Sequence, residues 1–142
     1  GRTMTVAWDE PQDILARTIY GEARSEGRKG MEAVACVILN RAKQPAGWGK
    51  DVCGVCLHPW QFSCWNEGDP NRLIITGVGQ SDLSFHLATP IAKNALGGWL
   101  DDPTGGADHY FNWHTKKPKW AEGVEPSSTI GSHAFYKLGP AA

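Results

Sequence analysis

No run of about 18 apolar residues occurs anywhere in the sequence, so no segment reads as a membrane-spanning helix. A basic run is also missing. Its 14 Lys and Arg against 15 Asp and Glu leave a formal net charge of −1, and only Lys116, Lys117 and Lys119 cluster, so nucleic acid is not an expected partner. Cys53-Gly-Val-Cys56 has the spacing of a zinc half-site, yet no second CxxC and no HxxxH completes it. Cys36 lies in an apolar helical stretch and Cys64 is flanked by Ser63 and Trp65, which makes buried thiols the expected state and one or two disulfides the alternative. His109 and His133 have no third ligand at a suitable spacing, so neither a metal nor any other cofactor is expected. Gly77-Val-Gly79 lacks the third glycine of a dinucleotide site. The residues after Met4, TVAWDEPQD, are acidic and without an apolar h-region, so no signal peptide is read there, and Gly1 to Thr3 read as a remnant ahead of a natural start at Met4. There is no internal repeat and no low-complexity segment.

What remains is a chain of 142 residues, the size of one domain (1–142) with one core. It is 41% hydrophobic, and 17 Gly with 9 Pro indicate an irregular, loop-rich fold rather than a bundle. Seven Trp are many for this length. Indoles offer flat apolar faces with a polar handle, suited to stacking on sugar rings, although several must belong to the core.

The stretch Asp13–Arg41 organises the chain. Leu15 and Ile19 stand at helical spacing, and three residues further the same row carries Glu22 where another apolar residue would be expected. Met31, Val34, Ala35, Ile38 and Ala42 then mark a second helix, buried along most of its length. Gly27 and Gly30 are read as the stop of one helix and the start of the next. The hairpin so formed holds Glu22 near the end of its first arm against an apolar second arm. Desolvation there favours the neutral acid, which can give a proton to a leaving oxygen. From pattern alone the competing reading is a solvated Glu in a local ion pair with Arg24.

Around this hairpin, Asp9 is the expected N-cap of the first helix, with Pro11 in its first turn and its end near Arg24. Gln44–Gly49 is a loop, and Lys50–Leu57 gives two short helical turns ended by Pro59. His58–Trp65 is aromatic without periodicity and reads as an extended segment or loop; Asn66–Gln80 reads as a loop interrupted by Leu73–Thr76. Asp82 caps a helical pattern in which Pro90 predicts a break near Thr89, with a second helix to about Leu96 closed by Gly97-Gly98. After the turn chemistry of Asp101–Gly106, Asp108–Asn112 and His133–Tyr136 are strands that pair across the Trp113–Ser132 loop.

The blocks Tyr20-Gly-Glu-Ala-Arg24, Val37-Ile-Leu-Asn-Arg41, HPWQFS from His58, DPTGGADHYFN from Asp102 and IGSHAFY from Ile130 together resemble the catalytic domain of SleB-type cell-wall hydrolases, a family of spore cortex-lytic enzymes also found among phage endolysins. They occur in the family's order between about Ile14 and Lys137. The resemblance implies a mainly helical α+β fold, lysozyme-like and lytic transglycosylase-like, with a small β-hairpin and a cleft between it and the helical hairpin. It also implies that one Glu suffices. Glu22 would protonate the bridging oxygen after an N-acetylmuramic acid unit, whose acetamido oxygen steadies the cation. The sugar's C6 hydroxyl, deprotonated by the same Glu, would close the 1,6-anhydro ring; attack by water instead gives a muramidase. On this resemblance Tyr20 and the facing helix keep Glu22 dry, Tyr110 and Asn112 position the sugar, and Gln61 with Phe62 lines the cleft. Glu26 is the weaker second carboxylate, read as an ion-pair or capping residue with Arg24 or Lys29. HYFNWHT departs from the family in carrying Trp113 and His114, where its members vary. The implied partner is the glycan strand of peptidoglycan, bound by a monomer without membrane insertion. Without a leader the protein is expected to be a phage endolysin that stays in the host cytoplasm until released to the wall; a bacterial enzyme shorn of leader and binding domain is the competing expectation. Two rivals of other classes are a metal amidase cutting the stem peptide and a non-catalytic glycan-binding module.

Overall fold

A computed structural model describes residues 6–44 and 47–140. The expected remnant at 1–3, the start at Met4 and part of the Gln44–Gly49 loop lie outside the described residues. Helix α1 spans Pro11–Ala23, with Pro11 in its first turn. Its N-cap is Glu10 rather than Asp9: the Glu10 side chain accepts from the Gln12 amide at 3.4 Å, one of the donors left unpaired at a helix start. A single 3-10 turn, Arg24–Glu26, leads to α2, Gly27–Ala42. Gly27 has φ 73°, a conformation that favours glycine, and marks the corner; Gly30 lies inside α2 rather than at its start.

Helix α3 spans Val52–Leu57, capped by Asp51 through the Gly54 amide and ending ahead of Pro59 as expected. The aromatic segment after it turns at 58–62 and closes in a 3-10 turn, Ser63–Trp65. The expected Asn66–Gln80 loop instead contains α4, Pro70–Gly77. Asp69 accepts from the Asn71 amide at 2.8 Å and Pro70 occupies the first helical position, so Asp-Pro is a start signal here rather than a turn. Helix α5 is continuous over Leu83–Leu96, without the break expected at Thr89. Pro90 and His86 both lie on its exposed side, where the carbonyl that loses its amide partner faces water instead of the core.

Helices α1, α2 and α5 pack together around Ile14, Leu15, Ile19, Val34, Ile38 and Phe85, all at most 2% exposed. Each such side chain stabilises the fold by about 1.5–3 kcal/mol through removal from water. Arg17 is buried with them. Its guanidinium pairs with Asp13 at 2.9 Å and donates to the carbonyls of Ile75 and Val78 at 2.7 and 3.2 Å, so α1 satisfies the C-terminal end of α4.

The sheet has three strands rather than a hairpin alone, in the order β1-β3-β2: β1 His109–Asn112, β2 Ser128–Ile130, β3 His133–Tyr136. β1 pairs antiparallel with β3, Tyr110 opposite Phe135, across the long loop as expected. The added strand β2 forms a tight hairpin with β3 through Gly131-Ser132. Alternation places Tyr110, Asn112, His133 and Phe135 on the face toward the helices, where Phe135 packs on Ala33 and Val37 of α2, and puts Phe111, Ala134 and Tyr136 on the outer face.

Candidate active site

Glu22 sits one turn past Ile19 near the end of α1 and is partly buried. The helix passes hard against the Ser63–Trp65 turn and α4 at this point: a Cβ on Gly21 would lie 2.8 Å from Ile75 Cγ2 and 3.0 Å from Cys64 Sγ. That approach brings the Cys64 thiol to the Glu22 carboxyl as a hydrogen-bond donor. From the other side Tyr110, on β1, donates its hydroxyl to Glu22 Oε1 at 2.6 Å. Burial is the largest influence on Glu22 and raises its pKa; the hydrogen bonds from Tyr110 and Cys64 and the positive charge of Arg41 act against it without cancelling it. The Tyr110 phenol is raised well above its ordinary value, first by burial and then by the Glu22 charge, so it remains a neutral donor.

Arg41 stands on the apolar row of α2, three residues after Ile38, and is 7% exposed. Its Nε donates to the Asp108 carbonyl at 2.7 Å, which ties α2 to the start of β1, and its guanidinium lies 5.3 Å above the rings of both Phe62 and Trp48. Nη1 donates to Gln61 Oε1 at 3.3 Å. Gln61 is itself exposed, whereas Phe62, expected to line the cleft, is 2% exposed and forms the floor beneath Arg41. Trp60 precedes them with φ 67°, the only non-glycine residue of positive φ among the described residues, and its indole is 82% exposed.

The other expected site residues are dispersed. Tyr20 is two residues from Glu22 and therefore on the far side of α1, where its hydroxyl donates to Asp82 at 2.8 Å and its ring meets Phe85 edge-on; Cys64 and Tyr110 cover Glu22 in its place. Asn112 shares the inner face of β1 with Tyr110, but its Oδ1 accepts from the His114 amide and shapes the turn leaving the strand. Glu26 pairs with neither Arg24 nor Lys29: its Oε1 accepts from the Ser132 amide at 2.6 Å and holds the β2–β3 turn against α2. The carboxylate whose charge reaches Glu22 is Asp69, the cap of α4. Asp69, Arg41 and Cys64 are not among the site residues expected from the sequence, where Cys64 reads only as a buried thiol and Arg41 only as the end of a family block. Arg41 carries the same signal as Glu22, a charge on an apolar helical row; the other two are brought in by the turn between α3 and α4, which has no periodicity to read.

All four cysteines are free thiols, and burial pushes those of Cys36 and Cys56 up to about 12. Among the described residues no group of three or more His, Cys, Asp or Glu is placed to hold a metal ion. His109 pairs with Asp108 at 2.8 Å, and His133 is buried edge-on against the Tyr110 ring at 5.1 Å. No helix among the described residues is long and apolar enough to cross a membrane.

The family model described as cell wall hydrolase matches residues 25–136, a span that begins just after Glu22. The chain is 35% identical over 124 residues to the spore cortex-lytic enzyme of Bacillus cereus, covering 87% of this chain and 43% of that protein. To the spore cortex-lytic enzyme of Bacillus subtilis it is 33% identical over 126 residues, with 86% and 36% covered. It thus spans less than half the length of these curated relatives. Among solved structures it is similar to the catalytic domain of the germination-specific lytic transglycosylase SleB from Bacillus anthracis, at TM-score 0.70 and 33% identity over 89% of this chain and 93% of that one. The catalytic domain of Bacillus cereus SleB gives TM-score 0.68 and 32% identity, over 96% and 98%. The lysozyme-like α+β architecture is therefore common to all three.

Proposed function

The chain belongs to the cell wall hydrolase family, and on that footing we propose that it cleaves the glycan strand of peptidoglycan at the bond following N-acetylmuramic acid, with Glu22 as its single acid and base. The observation that carries this reading is the Glu22 carboxyl, partly buried, raised in pKa and held at 2.6 Å by a neutral Tyr110. The protonated acid gives its proton to the bridging oxygen, and the C1–O bond breaks with the electron pair leaving on that oxygen. The resulting carboxylate is steadied by the Tyr110 hydroxyl, the Cys64 thiol and the positive charge of Arg41. It then takes the proton of the C6 hydroxyl as that oxygen bonds to C1, and the 1,6-anhydro ring closes with the enzyme restored. No second protein carboxylate takes part, and Glu26 is committed to the Ser132 amide. The exposed indole of Trp60 beside Gln61 offers a flat face on which a sugar ring can stack.

The similarity to a structure described as a lytic transglycosylase supports ring closure over attack by water. Mass analysis of the muropeptides released from purified walls tests it. Anhydromuramic ends support the reading; reducing muramic ends would make the same site a muramidase, and released stem peptides would make the protein an amidase. An endolysin role belongs to the same proposal: co-expression with a membrane-permeabilising protein then lyses the host, and expression alone does not.

A further inference from the structure

We propose that the outer face of the sheet is a second, non-catalytic binding site for the same wall polymer, which seats a stem-peptide carboxylate on Lys117 and an apolar face against Trp113. This rests on the peptidoglycan reading above. A groove of about 370 Å³ opens on that face, floored by Ala134 and Tyr136 and walled by Phe111, Trp113 and Thr129. It is separate from the Glu22 site by construction of the strand, since Tyr110 points toward the helices and Phe111 away from them. The floor is rigid: Phe111 stacks on Tyr136, and Trp120 meets both rings edge-on at 5.8 and 5.3 Å. The wall is fixed as well. Trp113 Nε1 donates to the Gly131 carbonyl at 2.9 Å and its ring stacks on His114 at 3.8 Å, while the indole remains 50% exposed. A preordered aromatic face of this kind binds with little further loss of side-chain freedom.

Charge selects the occupant. Lys117 is the one charged side chain among the residues lining the groove, and Lys116 and Lys119 flank it in a chain of net charge −1. Glu122 and Glu125 lie on the same loop but outside the lining. An apolar slot with one cation at its rim suits a ligand with an apolar body and a carboxylate, as a stem peptide has. Trp113 directly follows the end of β1, three residues after Tyr110, so a single wall strand with its peptides can engage both faces and the second contact becomes intramolecular.

The test is cosedimentation with purified sacculi stripped of accessory anionic polymers, in a Glu22→Gln background so that the walls stay intact. Lys117→Glu and Trp113→Ala are each expected to weaken retention several-fold, and together about tenfold, while cleavage of a short soluble muropeptide by the same substitutions in the active enzyme stays within twofold of the parent. Lys117→Glu changes an exposed side chain and keeps the test valid if Trp113→Ala fails to fold. Retention of Lys117→Glu equal to that of the parent, or binding only to sacculi that keep their accessory polymers, overturns the inference. Failure of the active parent to release any glycan ends overturns the functional reading instead, so the two failures are told apart.

Discussion

The Tyr110 hydroxyl and the Glu22 carboxylate meet at 2.6 Å across 88 residues of sequence, and this bond joins the first helix to the first strand at the point where the chemistry is proposed. On the proposed chemistry Glu22 must be acid enough to release a proton and basic enough to retrieve one. Burial pushes it toward the acid form; Tyr110, Cys64 and Arg41 restrain that push.

Removing the restraint should be visible in a pH profile. Tyr110→Phe deletes a hydrogen bond to a charged group, about 1.5–3 kcal/mol, so activity is expected to fall about 10- to 100-fold. Because that bond lowers the pKa of Glu22, its loss should also move the high-pH limb of the profile upward. A lowered rate with an unshifted limb would make Tyr110 a packing residue only.

Stability should respond to pH at the same carboxyl. A folded pKa raised above the unfolded value means that the folded state holds the proton more tightly, so this contribution is complete below the unfolded pKa and is lost as pH rises through the folded one. Glu22→Gln cannot ionise and escapes the loss. Its melting temperature relative to the parent should therefore rise from acid to neutral and alkaline pH, measured by thermal melts at several pH values; a constant difference would mean that burial does not perturb this group.

Glu26→Gln should separate structure from catalysis. The substitution removes the charge from the bond to the Ser132 amide and is expected to destabilise the fold by about 1–2 kcal/mol, with activity per folded molecule nearly unchanged. Chemical denaturation combined with a lysis assay reads both. A folded variant without activity would return Glu26 to the chemistry.

Pro90→Ala should stabilise. Proline in an exposed helix interior is up to about 3 kcal/mol less favourable than alanine, and the surrounding α5 is already continuous, so a gain of about 1–3 kcal/mol is expected in denaturant melts. Unchanged or lower stability would show that α5 uses its proline to fit the hairpin.

The helical hairpin was legible because its apolar rows have a 3.6-residue period, and Glu22 stood out by interrupting one of them. Strands β1 and β3 were legible from aromatic runs bounded by turn residues. Asp69-Pro70 was ambiguous, since the same dipeptide starts a helix or makes a turn, and the C-terminal end of α4 is satisfied by Arg17, 58 residues away from the Ile75 carbonyl that it reaches. Pro90 misled because a break is predicted from the residue type alone, whereas its cost depends on which side of the helix faces water. The resemblance sets Tyr20 beside Glu22, whereas helical rotation sends the side chains of two residues so spaced to opposite sides. Cys64 and Arg41 reach Glu22 only through the packing of three separate segments, which no local pattern encodes.

Whether one carboxyl does the chemistry is decided by lysis of purified cell walls by Glu22→Gln, followed by loss of turbidity beside a melting curve of the same sample. A folded protein whose rate has fallen by about 10²–10⁴-fold, the worth of general acid catalysis, is the expected result. A folded Glu22→Gln protein that clears walls at the parental rate would remove Glu22 from the chemistry.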